Sequence, residues 1–124
     1  MKMTEKELFI KYLKNRTKKF AVDIIALCEN LKESKATPVI TYQLLKSSSS
    51  TGANYRAACR ARSKAEFFSK ICIVVEEADE SEYWLEIIQD ANLSNKNDEL
   101  IKLLKEANEI TKIMTKAKNS SYGK

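Results

Sequence analysis

Apolar residues recur along this chain at alternating spacings of three and four positions, which is the spacing of one face of an α-helix. Four such stripes follow one another with short breaks between them, a pattern that predicts four long helices in one domain, residues 1–124. Long helices joined by short breaks are typical of an antiparallel up-down-up-down four-helix bundle, so the predicted fold class is all-α. The predicted inner faces are, in chain order, Ile10, Leu13, Thr17, Phe20, Ile24, Leu27 and Leu31; Ile40, Leu44, Ser47, Thr51, Asn54, Ala58 and Ala61; Phe67, Ile71, Val74, Ala78, Ser81, Leu85 and Ile88; Leu100, Leu103, Ala107, Ile110, Met114 and Ala117.

Capping signals predict where the helices begin. Thr4 with Glu7, and Ser63 with Glu66, have the spacing of a capping box, while Thr37 before Pro38 reads as a cap followed by proline at the first helical position. The first helix is expected to fade near residue 34, the third to end in the break 90–97, and residues 119–124 to fray.

The second stripe is unusual because its middle is polar and small, from Ser47 to Asn54. Four serines and Gly52 lower helix propensity, so a loop is the local alternative. The stripe nevertheless keeps its phase across the segment, which predicts a helix with a polar inner face. Small side chains there would let a neighbouring helix approach closely.

A second row on the third helix contains Glu77 and Glu80 among apolar residues. We expect these carboxylates to accept hydrogen bonds from Asn54, from Ser47 or Ser50, and from Arg56, because a buried charge requires partners. Glu77→Ala would then destabilise the bundle by leaving those partners unpaired. The alternatives are an exposed salt-bridge ladder that only fixes helix register and, more remotely, acid–base chemistry by the carboxylate pair.

Composition argues against most enzyme classes. The 124 residues include no His, and the three cysteines, Cys28, Cys59 and Cys72, lack CxxC spacing. Serine–histidine and cysteine–histidine nucleophiles and histidine-ligated metals are thereby excluded, and the sequence predicts neither catalysis, nor a cofactor, nor a metal. No apolar run is long enough for a membrane span and no secretion signal is evident, so a cytoplasmic protein without a membrane partner is expected.

Charge is unevenly distributed around a net +5. Residues 1–22 carry seven Lys or Arg against two Glu, whereas residues 71–95 carry seven carboxylates and no Lys or Arg. The asymmetry is typical either of a nucleic-acid surface or of oppositely charged helices packed side by side. Trp84 is expected to anchor the core or a subunit contact. The sequence leaves the direction of Tyr55 open, and outward packing against another copy is one alternative. The candidate nucleic-acid-binding residues are Lys11, Lys14, Lys18, Arg56, Arg60, Arg62 and Lys64.

The central part of the chain, about residues 44–88, resembles a known family. The resemblance is carried by Ser47, Ser50, the run Asn54-Tyr55-Arg56-Ala57-Ala58-Cys59-Arg60-Ala61-Arg62-Ser63, Glu66-Phe67, Glu76-Glu77-Ala78-Asp79-Glu80-Ser81 and Tyr83-Trp84-Leu85-Glu86. These residues are similar to those of the four-helix-bundle proteins encoded in intervening sequences of bacterial 23S ribosomal RNA genes. The resemblance implies a homopentamer with a central channel. A related branch serves as the accessory protein of diversity-generating retroelements, which binds nucleic acid and a reverse transcriptase.

Two functional hypotheses follow. The first is a non-enzymatic homo-oligomer, a pentamer by the resemblance, that binds RNA or DNA through its basic surface residues. The alternative is a protein-interaction scaffold, for example for a nucleic-acid enzyme such as a reverse transcriptase.

Overall fold

A computed structural model describes residues 2–121 and contains four helices. They are α1 (Glu5–Cys28), α2 (Thr37–Cys59), α3 (Lys64–Asp90) and α4 (Asn97–Ser121). Each helix packs against the next one in the chain, and α4 returns to α1, while the backbones of the diagonal pairs stay farther apart. The predicted all-α four-helix bundle is therefore confirmed.

Local hydrogen bonds set the helix starts much as the sequence predicts. The Thr4 hydroxyl accepts a hydrogen bond from the Glu7 amide at 3.1 Å, and the Glu7 carboxylate accepts one from the Thr4 amide at 3.0 Å. The Ser63 hydroxyl likewise accepts from the Glu66 amide at 3.1 Å and starts α3. Thr37 is the first residue of α2 and not its cap; its amide donates to Ser34 Oγ at 3.1 Å.

The first helix ends earlier than predicted, at Cys28, because the chain that follows pairs with another loop. The amide of Lys32 donates to the carbonyl of Leu93 at 2.7 Å, and the amide of Asn95 donates to the carbonyl of Asn30 at 3.0 Å. Leu31, expected on the helical stripe, instead bridges to Ser94. At the other end of the chain, α4 continues to Ser121, so residues 119–121 of the predicted frayed tail are helical, and residues 122–124 lie outside the described residues.

The core forms where the four stripes meet, and the predicted inner positions of the helices are mostly buried. The exceptions lie mainly towards the end of the bundle where α1 begins: Ile10, Phe67 and Ala117 are half-buried. Tyr55, whose direction the sequence leaves open, is only 4% exposed and belongs to the core. Asn54 is half-buried beside it. The inner face of α2 therefore turns slightly away from the predicted line at its C-terminal end.

The serine-rich segment is helical, as its phase predicts. Its hydroxyls bond to carbonyls of their own helix, for example Thr51 Oγ1 to Ser47 O at 2.8 Å and Ser49 Oγ to Leu45 O at 2.7 Å. These bonds satisfy the hydroxyls without a distant partner, and no buried side-chain N or O atom of the described chain lacks one.

Small residues on α2 set its distance from both neighbouring helices. Towards α3, the Ser81 hydroxyl donates to Ser47 Oγ at 2.9 Å, and both residues are fully buried. Towards α1, a Cβ added at Gly52 would lie 3.2 Å from Thr17 Oγ1 and 3.5 Å from the Thr17 carbonyl carbon. The segment from Ser47 to Gly52 thus lies close to both α1 and α3.

Candidate nucleic-acid interface

The predicted polar network is wrong in its partners. Glu80 is exposed and accepts a hydrogen bond from the indole of Trp84, one turn along its own helix, at 3.1 Å. Asn54 donates to the Ser50 carbonyl and hydroxyl, at 2.9 and 2.8 Å, again within one helix. The hydrogen bond between side chains of α2 and α3 in the described chain joins Ser47 and Ser81 instead.

Helix register explains this difference. The Ser47–Ser81 contact fixes how α2 and α3 align, and moving nine residues along each antiparallel helix places Arg56 level with Cys72. Glu77 lies five residues farther along α3, about 7.5 Å at 1.5 Å per residue, so Arg56 and Glu77 are not at the same level of the two helices. Arg56 is exposed and forms no ion pair within residues 2–121.

Glu77 is half-buried, and no side chain of residues 2–121 donates a hydrogen bond to its carboxylate. The Ser81 hydroxyl donates to the backbone carbonyl of Glu77 at 2.9 Å. Its pKa is raised, chiefly by burial and next by the neighbouring charge of Glu80, with Lys46 opposing the shift. The Glu77 carboxylate therefore takes no part in a register-fixing ladder of ion pairs within residues 2–121. Within the described residues, no group of three or more Cys, Asp or Glu is placed to hold a metal ion.

The antiparallel fold gathers positive charge at one end of the bundle. The first turns of α1 and α3, the last turns of α2 and α4, and the 60–63 turn all meet there. Cations are favourable at the last turns of α2 and α4, where helix carbonyls carry partial negative charge. We call this region the basic end; its cations are Lys6, Lys11, Arg56, Arg60, Arg62, Lys64, Lys112, Lys116 and Lys118.

Five of the seven predicted nucleic-acid-binding residues lie at the basic end: Lys11, Arg56, Arg60, Arg62 and Lys64, all of them exposed. Arg62 is paired with Glu66 at 3.3 Å, whereas the other four form no ion pair within the described chain. Lys14 is half-buried, and Lys18 lies about 18 Å along α1 from Lys6 at the usual helical rise. Lys14 and Lys18 therefore extend the surface up the side of α1 and are not part of its centre.

Arg16, one of the cations of the basic first helix, serves a different purpose. Its guanidinium donates to both Glu106 oxygens, at 2.8 and 2.6 Å, and to Glu109 at 2.7 Å, across the seam between α1 and α4. The hydrogen bond from Arg16 to Glu106 raises the pKa of Arg16. Its charge is balanced by two carboxylates at the α1–α4 seam and is not part of the unpaired basic surface.

A cavity of about 920 Å³ opens at the basic end, and sequence reasoning gave no sign of it. Its walls are mainly apolar, and four cations, Lys6, Arg62, Lys64 and Lys116, stand among its lining residues. The lining comes from all four helices, from positions as far apart in the chain as Lys6 and Ser121. Only the folded arrangement brings them together.

The opposite sign of charge collects on the second half of α3. Glu76, Asp79, Glu80, Glu86 and Asp90 are exposed there and form no ion pair within residues 2–121. They begin about 18 Å along α3 from Lys64, so they do not neutralise the basic end. In the described part of the chain, no helix is long and apolar enough to cross a bilayer.

Comparison with known proteins places this bundle among relatives. A family model described as "23S rRNA-intervening sequence protein" matches residues 12–116. A crystal structure of a protein of unknown function from the S23 ribosomal protein family of Bacteroides thetaiotaomicron VPI-5482 aligns with a TM-score of 0.73 and 29% identity, over 89% of this chain and 97% of that one. No curated protein matches. Because the family model spans most of the chain and the fold agrees with the related crystal structure, the protein belongs to the family of 23S rRNA-intervening sequence proteins.

Proposed function

We propose that this protein is a non-enzymatic homo-oligomer that binds nucleic acid through the basic end of its bundle. The observation that carries the proposal is the meeting of cations from four helices at that end, most of them without an acidic partner in the described chain. Unpaired cations on one surface attract a polyanion and release its counterions, which provides affinity for RNA or DNA without reading sequence.

The bland explanation of the same charges is a solvated surface on which opposite charges balance. Against this explanation, the basic end and the acidic half of α3 are separated along the length of the bundle, so their charges do not face each other. Arg62 with Glu66 and Lys19 with Asp23 are exposed pairs of that balancing kind. Arg56, Arg60 and Lys64 are not balanced in this way.

Fluorescence anisotropy with labelled RNA and DNA across a salt series tests the proposal. We expect Arg56→Gln, Arg60→Gln and Lys64→Gln combined to weaken binding and to lower the slope of log K against log salt by about 3, one for each lost phosphate contact. The matched control is Lys32→Gln, Lys35→Gln and Lys96→Gln, three exposed cations at the other end of the bundle. Equal losses in both triple variants, or binding that ignores salt, would contradict the proposal.

The oligomeric part of the proposal is tested by light scattering on the eluting protein. A pentamer of 14.2 kDa chains has a mass of about 71 kDa (5 × 14.2). A mass of one chain at every concentration would remove the oligomer from the proposal and leave nucleic-acid binding standing.

A second candidate is a protein-interaction scaffold, favoured by the acidic half of α3 and its neighbour Tyr83, which is 53% exposed. A partner that carries a basic surface, such as a nucleic-acid enzyme, fits that face. Affinity capture before and after nuclease treatment separates the two candidates. A partner protein retained after nuclease, and lost with Asp79→Lys and Glu86→Lys, supports the scaffold.

A further inference from the structure

The cavity at the basic end differs from an ordinary charged surface because its lining is mainly apolar and includes aromatic rings. The apolar lining comes from Phe9, Ile10 and Leu13 of α1, Tyr55 of α2, Phe67 of α3 and Ile113 of α4. Such a surface gains free energy by covering its apolar side chains. A bare polyphosphate chain would leave it uncovered.

The first turns of α1 and the last turns of α4 both line the cavity. The interface between α1 and α4 is the least extensive of the four helix interfaces, and the clamp of Arg16 on Glu106 and Glu109 lies about three turns along α1 from its first residue. Below the clamp, Phe9 and Tyr12 project from α1 and are 53% and 51% exposed. Their rings lie 6.3 Å apart at 28°, a stacked arrangement.

The charge around the cavity has one sign. Lys6, Arg62, Lys64 and Lys116 line it, no Asp or Glu appears among its lining residues, and the three lysines form no ion pair within the described chain. These cations come from α1, the 60–63 turn, α3 and α4, so they surround the opening. A ligand with one anionic head group would use one side of that ring, whereas a chain of phosphates can reach several.

An apolar aromatic pocket with cations around it fits a nucleotide whose base is unpaired. Bases stack on aromatic side chains while the phosphates beside them meet Lys and Arg. In a duplex the flat faces of the bases are covered by their neighbours, and only phosphates and base edges are available. The same pocket therefore favours single strands over duplexes.

We propose that the end cavity takes an unpaired base of a single-stranded nucleic acid, with Phe9 as the stacking surface and Lys6, Lys64 and Lys116 on the flanking phosphates. This inference rests on the proposed function and goes further by naming the strand form that the site selects. Its contribution to affinity is sequence-tolerant, because every base has a flat aromatic face.

The experiment uses three labelled probes of about 12 nucleotides: a single strand, the duplex with its complement, and an abasic strand that keeps the sugar and phosphates. We expect the single strand to bind more tightly than the other two at the same salt. Phe9→Ala should weaken single-strand binding roughly fivefold to a hundredfold and leave abasic binding unchanged, because it removes stacking alone. Phe9→Trp should retain the preference.

Leu8→Ala is the matched control, since Leu8 is 52% exposed on the same turn but does not line the cavity. Circular dichroism confirms that each variant folds. Equal binding of all three probes by the wild-type protein, or equal effects of Phe9→Ala on single and abasic strands, overturns this inference while the proposed function stands. Failure of every probe to bind overturns both. A change of oligomer mass in Phe9→Ala would assign the cavity to contact between copies of the chain and also overturn the inference.

Discussion

Ser47 lies at a close contact between α2 and α3, and we expect its size to matter more than its polarity. The side chain is fully buried, and its hydroxyl meets Ser81 Oγ at 2.9 Å and the Leu44 carbonyl at 3.3 Å. A larger residue has no space unless the helices move apart, which would also disturb the α1–α2 contact at Gly52.

Ser47→Val is therefore expected to lower the free energy of unfolding by about 1–3 kcal/mol through overpacking. Ser47→Ala should cost about 1 kcal/mol or less, because Ser81 keeps its bond to the Glu77 carbonyl at 2.9 Å. Urea denaturation measures both. Ser49→Val, on the exposed face of the same helix, is the control for β-branching. A cost for Ser47→Val no larger than that of the control would show that the helices have room.

The carboxylate of Glu77 is half-buried but has no hydrogen bond or ion pair within residues 2–121 that would stabilise the fold. Because its folded-state pKa is raised, the native protein holds that proton more tightly than the unfolded chain does. Protonated Glu77 thus adds to the stability of the folded protein in acid, and this contribution is lost as pH rises through the folded-state pKa of Glu77. The expected cost of Glu77→Ala rested on partners that the structure does not place there.

We predict instead that Glu77→Gln is modestly more stable than the wild type at pH 7, and that the difference shrinks as pH falls towards the ordinary glutamate value of 4.5. Thermal melts at pH 7 and at about pH 4, just below the ordinary glutamate value, measure the change. Glu86→Gln, an exposed carboxylate on the same helix, controls for net charge. Loss of stability at pH 7 in Glu77→Gln alone would mean that the carboxylate has a partner after all.

At the scale of helices, the seam between α1 and α4 depends on one cluster. Arg16 bonds to Glu106 in two-point geometry, adds Glu109, and also donates to the Tyr12 hydroxyl at 3.0 Å. The arginine side chain is 19% exposed and Glu106 26%. This partial burial makes the pair stronger than a surface ion pair but leaves it open to screening by salt.

Arg16→Gln should lower stability by about 1–2 kcal/mol, with a smaller loss at high salt. Lys19 lies three residues from Arg16 on the same helix and forms an exposed ion pair with Asp23. Lys19→Gln, which breaks that pair, should have no measurable effect. Nucleic-acid affinity should be unaffected in Arg16→Gln, since this charge faces α4. A fall in nucleic-acid affinity without a fall in stability would mean that Arg16 belongs to the binding surface.

The helices themselves were largely predictable because their determinants are local. The Thr4–Glu7 and Ser63–Glu66 caps lie within one turn, and the phase of the second stripe carries through four serines. Partners between helices were not predictable. Arg16 finds Glu106 across 90 residues, and the α2–α3 register places Arg56 five residues, more than one turn, away from the level of Glu77. The predicted basic residues mostly share one end, but the cavity among them is lined by all four helices and depends on how they pack.

At the scale of the whole molecule, the order of the helices decides where charge accumulates. The first half of α1, which is basic as a whole although Glu5 and Glu7 lie in its first turn, and the basic ends of α2 and α4 fall together only because the helices alternate in direction. The acidic second half of α3 then points toward the other end. A bundle with the same helices in parallel would bring the basic first half of α1 beside the uncharged start of α2 and spread the cations along its length.

This separation of charge gives the protein a dipole moment along its long axis. In the field of a polyanion such an object experiences a torque, and it turns before it touches. The bundle should therefore meet RNA or DNA with its cationic pole foremost, and the rate of encounter, as well as the lifetime of the complex, should fall as ionic strength rises.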